Sequence, residues 1–305
     1  MTSPRIFRSA CRHALGAPRL VITLYLVNLL LAFPALYVTH SALESALGNS
    51  LAGESLLPGF DFTVFFDLLG AHSLTPGSLL PLSLSLAVAG VVVQVFLAGG
   101  ILDLLVREKR FSGATFFRAC GAYIGRFTRI WILTVLSLLL VIALFCILFV
   151  AMVDIINAKM GSEQATGIAT IIVLVVFSVP VLLVFMASDY ARVNTVVHEG
   201  QSAWMSLRRG FLFVLRNIGS TLGLHLLLLL LLTVFIVLYL SLEGLINMDR
   251  SFTILLVFLL QQLFVLARLA IRVAFCAGEV ELYEERKPRP VVFYGWDDSP
   301  PIQAH

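Results

Sequence analysis

Six stretches of this chain, residues 20–38, 79–104, 130–153, 168–188, 218–241 and 252–275, are almost wholly apolar. A helix needs about 20 residues to cross the roughly 30 Å hydrocarbon core of a bilayer. Lipid offers no partner to a bare backbone, so runs of this length fold there as helices. Pro34 and Pro180 fall inside two of them, which membrane helices tolerate. Composition agrees: 59% of the 305 residues are hydrophobic and only 13% are charged, whereas a soluble domain carries about a quarter charged residues. The expected fold is all-α and polytopic, with one transmembrane domain over residues 1–285 and a flexible, proline-containing tail over 286–305.

Charge sets the orientation. All but two of the 21 Lys and Arg residues precede span one, lie between spans two and three or four and five, or sit at and after the end of span six. The other side holds only Lys159 and Arg250, against Glu44, Glu54, Asp61, Asp67, Asp154, Glu163, Glu243 and Asp249. Basic loops stay in the cytoplasm, so both termini are expected there. Arg5, Arg8, Arg12 and Arg19 precede span one at helical spacing, which reads as a retained signal-anchor.

The segments before spans one, three and five share a pattern: SPRIFRSACRHALG (3–16), SGATFFRACGAYIG (112–125) and SAWMSLRRGFLFVL (202–215). Each opens on a serine suited to capping a helix, and Pro4 takes the favoured first helical position. Aligned on that serine, Ala10-Cys11 falls on Ala119-Cys120, Arg118 on Arg208 and Arg126 on Arg216. On a helical wheel Phe116, Cys120, Tyr123 and Phe127 share one face, opposite Arg118, Arg126 and Arg129. Ile6, Ala10 and Ala14 likewise oppose Arg5, Arg8 and Arg12, and the third segment sets Trp204, Leu207 and Phe211 together. Such helices lie in the headgroup layer, rings inward and arginines toward phosphates. The expected architecture is therefore three transmembrane hairpins, each preceded by a cytoplasmic interfacial elbow helix. The third segment follows the pattern least well.

Spans two, four and six leave the membrane through polar residues: Asp103 then Arg107, Asp189 then Arg192, and Arg268 and Arg272 then Glu279. Arg268 and Arg272 are one turn apart and near enough to the boundary to snorkel. If the even spans converge, Asp103, Asp189, Arg192, Arg268 and Arg272 form either an ion-pair collar or a site for an anionic lipid headgroup. His225, deep in span five, is either a proton relay or a neutral histidine bonded to a neighbouring helix. Asn28, Gln94, Gln261 and Gln262 read as interhelical glue, and Gly219-xxx-Gly223 as a point of close helix approach.

The outer loop 40–78 carries PGFDFTVFFDLLGAH, which suggests a short helix on the outer leaflet or a lid. The scattered cysteines 11, 120, 146 and 276 lack metal spacing. No HExxH, GxSxG, P-loop or CxxC occurs. Glu284, Glu285 and Arg289 match the EExxxR pattern of intramembrane proteases, but they lie beyond span six beside Pro288, and no span carries a histidine partner motif. No catalytic residue, cofactor, metal site or nucleic-acid partner is expected; the net charge is only +3, and its placement matters more than its sum.

The segments GGILDLLVREKRFSGATFFRACGAYIGRFTRIW and ARVNTVVHEGQSAWMSLRRGFLFVLRN resemble bacterial six-span proteins similar to the membrane domain attached to some glycerophosphodiester phosphodiesterases. The resemblance covers mainly spans two to six and implies the fold and a bacterial inner membrane. It transfers no catalytic residue, and the phosphodiesterase barrel has no counterpart here. The expected function is a non-enzymatic membrane scaffold or accessory subunit with lipids and a membrane protein as partners. The alternative is a transporter or lipid-handling protein with an arginine-lined site at the cytoplasmic boundary.

Overall fold

A computed structural model of the chain describes residues 3–47, 76–159, 163–198, 200–246 and 251–287. The outer-loop residues 48–75, the residues Lys159-adjacent at 160–162, Glu199, residues 247–250 and the tail from Pro288 lie outside the described residues, so the expected lid, leaflet helix and flexible tail do too. Among the described residues there are eight α-helices and no strand. They are α1 (Ser3–Gly16), α2 (Pro18–Leu47), α3 (Pro76–Val106), α4 (Gly113–Lys159), α5 (Glu163–Val197), α6 (Ala203–Arg216), α7 (Ile218–Gly244) and α8 (Ser251–Arg286). Six of them, α2 to α5, α7 and α8, are long and apolar enough to cross a membrane.

The three segments that open on serine are all helical, but they join their spans differently. The first ends at Gly16, ahead of Pro18, and the third ends at Asn217, whose φ of −122° and ψ of 29° leave the helix. The second does not end at all: it runs straight into span three as the 47-residue α4. The cause is local. Proline favours the first position of a new helix, as Pro18 does in α2, and asparagine tolerates a break. At the equivalent place the second segment has Gly125-Arg126-Phe127, which can stay helical. The capping expectation also divides. Ser202 Oγ accepts from the Met205 N–H at 3.3 Å, whereas the Ser3 hydroxyl donates to the Ser220 carbonyl at 3.3 Å.

Packing follows a cyclic rule. The 112–125 segment packs on the end of span two, α6 on the end of span four, and α1 on the end of span six. Among the described helices, the first thus closes a ring against the last. Within it the even spans α3, α5 and α8 touch one another pairwise. Small residues permit each approach. A Cβ at Gly100 would sit 2.5 Å from Cys120 Sγ, one at Gly210 2.5 Å from the Ala187 carbonyl oxygen, and one at Gly278 3.4 Å from Ala10 Cβ. Cys120 and Gly210 are each eight residues past their opening serine, so the repeat aligns the points of contact.

The buried faces match the expected faces in the first two segments. Ile6, Ala10 and Ala14 are buried, as are Phe116, Cys120, Tyr123 and Phe127. Their partners are the protein's own helices, however, with Gly99 and Gly100 of α3 lying under Cys120 and Tyr123. In the third segment the expected face of Trp204, Leu207 and Phe211 is displaced: Ser206, Gly210, Phe213 and Val214 are buried, while Trp204 and Phe211 are exposed. Close backbone approach selects small residues over large ones when no aqueous hydrophobic effect drives helices together. Gly219 meets no neighbour and Gly223 faces the Ser3 side chain, so these two glycines do not form a helix-crossing pair.

The core lies at the end that carries Ser3, Lys287 and the basic loops, the basic end. Phe127 in α4 is fully buried, whereas Leu140 in the same helix is 72% exposed. The far halves of α4, α5, α7 and α8 expose apolar side chains on most of their surface. Hairpin partners remain in touch there through Phe145–Phe177, with ring centroids 4.0 Å apart, and Tyr239–Phe264 at 4.5 Å.

Candidate functional site

Convergence of α5 and α8 at the basic end, with α7 beside them, collects a partly buried polar cluster, in which the Arg192 and Asp189 side chains stay 25% and 29% exposed. Arg192 Nη1 lies 3.1 Å from Asp189 Oδ1, three residues earlier on α5, and its Nη2 donates to Ser188 Oγ at 3.2 Å. The Ser188 and Thr134 hydroxyls share a hydrogen bond of 2.9 Å, which ties α5 to α4. Asp189 is also within electrostatic range of Arg272 on α8 and His225 on α7. Glu279, one face of α8 further on, is buried and within the same range of Asp189 and Arg192. Two carboxylates and two guanidiniums thus sit together partly withdrawn from water, where each charge gains from a partner inside the protein.

The cluster leaves little free space between its helices. Beside it is a void of about 10 Å³, lined by Tyr190, Thr221, Leu224, His225, Leu228, Phe275 and Glu279. That volume holds one water at most. The His225 ring meets Phe275 edge-on at 5.4 Å, and its side chain makes no hydrogen bond among the described residues.

Of the five residues grouped from sequence, three come together: Asp189, Arg192 and Arg272. Arg272 also reaches across to α3, where Nη2 donates to the Gln94 carbonyl at 3.1 Å. Gln94 Nε2 in turn donates to Asn28 Oδ1 at 3.2 Å on α2. Asp103 sits apart, held by Arg107 Nε at 2.8 Å and Lys109 Nζ at 3.0 Å, both from the turn that follows its own helix. Arg268 is exposed and makes no ion pair among the described residues. Arg118, Arg208 and Arg216 are exposed and Arg126 is half-buried, on the sides of their helices away from the core. The expected glue residues do join helices: the Tyr25 hydroxyl donates to Gln262 Oε1 at 2.7 Å, and Gln261 bonds Tyr239.

Three residues at this end carry more than their sequence context signals. Glu279 reads as one exit residue among several until α5 is seen beside it. The Tyr283 hydroxyl donates to Asn194 Oδ1 at 2.7 Å, and Asn194 Nδ2 donates to Gln201 Oε1 at 3.2 Å. The rings of Tyr190, Phe213 and Tyr283 continue this link, with centroids 4.9 and 5.0 Å apart, joining α5, α6 and α8. The protease-like acids are spent on surface pairs, Glu285 with Arg5 at 3.1 Å and Glu284 with Lys287. Among the described residues no group of three His, Cys, Asp or Glu is placed to hold a metal ion. Set against known proteins, the chain matches no family model, no curated protein and no solved structure.

Proposed function

We propose that this chain is a non-enzymatic scaffold or assembly subunit of a bacterial inner membrane, with six crossings and both termini in the cytoplasm. The segregation of basic residues supports this orientation. In this reading the basic end lies in the inner headgroup layer, with the exposed Arg118, Arg208 and Arg216 toward lipid phosphates. The likeness to six-span bacterial proteins described above belongs to the same proposal.

The observation that carries the reading is the contrast between the two halves of the bundle. Around Asp189 and Arg192, charges are compensated within the protein and the space between α5, α7 and α8 shrinks to a single-water void. That void is walled by Leu224, Leu228 and Phe275, so the cluster reads as a structural lock. In the far half, four helices present apolar flanks that a neighbouring membrane helix can cover. A photo-reactive residue placed at Leu140, Leu148 or Ile171, all exposed, should give one dominant protein adduct in native membranes. Adducts to lipid alone, together with solute uptake by the purified protein in vesicles, would refute the reading.

One observation favours a second reading, a lipid-handling protein: Arg268 stands exposed within range of Arg272 at the boundary. Joint replacement of both arginines by glutamine separates the two. Folded protein that no longer retains anionic lipid supports lipid handling; loss of folded protein supports the lock.

A further inference from the structure

A second cavity lies at the basic end, on the opposite side of α8 from the charge cluster. It is a cleft of about 1020 Å³ between α1, the end of α3 and the end of α8. Its floor is apolar, formed by Leu104, Leu105 and Val106 of α3 with Ala277 and Val280 of α8. Its rim carries both signs of charge. Two of the cations are already engaged, Lys109 with Asp103 and Lys287 with Glu284. Arg12, Glu108 and Glu281 have no ion pair or hydrogen bond from their side chains among the described residues.

Glu281 is the unusual member. Its Oε2 is sealed from solvent and meets no donor. A buried carboxylate oxygen without a donor is costly, so this position calls for an N–H. Arg12 faces the same cleft from α1 as an uncommitted guanidinium, a group whose planar fork suits phosphate. His13 lines the cleft as well; its Nδ1 lies 3.0 Å from the Ser9 carbonyl oxygen. The cleft therefore offers an acceptor for an ammonium, donors for a phosphate, and an apolar floor at the end of α3.

We infer that this cleft binds an aminophosphate group, ammonium on Glu281 and phosphate on Arg12, as presented by the headgroup of an aminophospholipid. The inference rests on the cleft alone and stands or falls separately from the scaffold reading. A free aminophosphate carries the same chemistry, so the test includes it.

The experiment uses the full chain in detergent, stripped of lipid and loaded with defined lipids, with retention read by native mass spectrometry. Phosphatidylethanolamine should be retained at least about tenfold better than phosphatidylcholine, whose quaternary amine has no N–H, or phosphatidylglycerol, which has no cation. Glu281→Gln and Arg12→Gln should each remove about tenfold of that retention, the size expected for one charge-assisted hydrogen bond. Glu285→Gln, which loses only the surface pair with Arg5, should leave it unchanged. Arg12 is exposed and makes no contact that the fold needs, so Arg12→Gln remains decisive if Glu281→Gln does not fold. Full displacement by millimolar free phosphoethanolamine would keep the aminophosphate site and assign it to the soluble compound. Equal retention of ethanolamine and choline lipids, or Arg12→Gln protein that retains lipid unchanged, overturns the inference.

Discussion

Gly210 offers a direct test of the packing rule at the basic end. A Cβ added there would lie 2.5 Å from the Ala187 carbonyl oxygen and 2.7 Å from the Ala191 nitrogen. Both are backbone atoms of α5, so relief requires α6 to move away bodily. Overpacking of this kind costs about 1–3 kcal/mol. Gly125 is also helical but meets nothing within 4 Å, so alanine there should gain about 0.5–1 kcal/mol from helix propensity alone. Gly210→Ala carries the same propensity gain, so the two variants should differ by the overpacking cost. At roughly 2–4 °C per kcal/mol, the separation in apparent Tm should reach several degrees, with Gly210→Ala the lower. Gly100→Ala should fall between them, because its Cβ would meet the side chains of Cys120 and Phe116, which can adjust. Fluorescence-detected gel filtration after a heating series in detergent reads all three. Gly210→Ala protein as stable as Gly125→Ala protein would refute the reasoning.

Other expectations follow from single contacts. Tyr283→Phe keeps the ring stack but deletes the 2.7 Å bond to Asn194. It should cost about 1–2 kcal/mol in the same heating assay, since it leaves a buried acceptor short of a donor. Arg272→Gln should lower the yield of folded protein, because the guanidinium holds Gln94 and faces Asp189, whereas Arg268→Gln should not. Glu108 has φ of 48° at the end of α3, a conformation that favours glycine. Glu108→Gly should raise the apparent Tm slightly, by relief of about 1 kcal/mol of strain.

The apolar runs made the six long helices legible, because length and hydropathy alone decide what lipid can accept. The breaks between elbow and span were legible in part. Pro18 and Asn217 carry them, and the lack of any such residue near Gly125 accounts for the unbroken α4. The wheel of the third segment misled, since it ranks faces by bulk while the interface at Ser206 and Gly210 selects for smallness. The grouping of Asp103 with the arginines assumed equal exits from all even spans. Asp103 instead finds Arg107 and Lys109 within six residues, and a local partner forecloses a distant one. Glu279 and Asn194 gain their partners only through tertiary contact, which no window of sequence displays.

The closure of α1 onto α8 joins the first helix to the last and holds the basic end together, so it tests the account most directly. Ala10 Cβ lies 3.4 Å from where a Cβ at position 278 would sit, close to the spacing of a disulfide. In a background with Cys11, Cys120, Cys146 and Cys276 replaced by serine or alanine, Ala10→Cys with Gly278→Cys should cross-link within one chain under mild oxidation in membranes. Gly16→Cys with Gly278→Cys should not. Failure of the first pair to form a bond in folded protein, or equal bonding by both pairs, would contradict the ring closure on which the fold, the charge cluster and the cleft all depend.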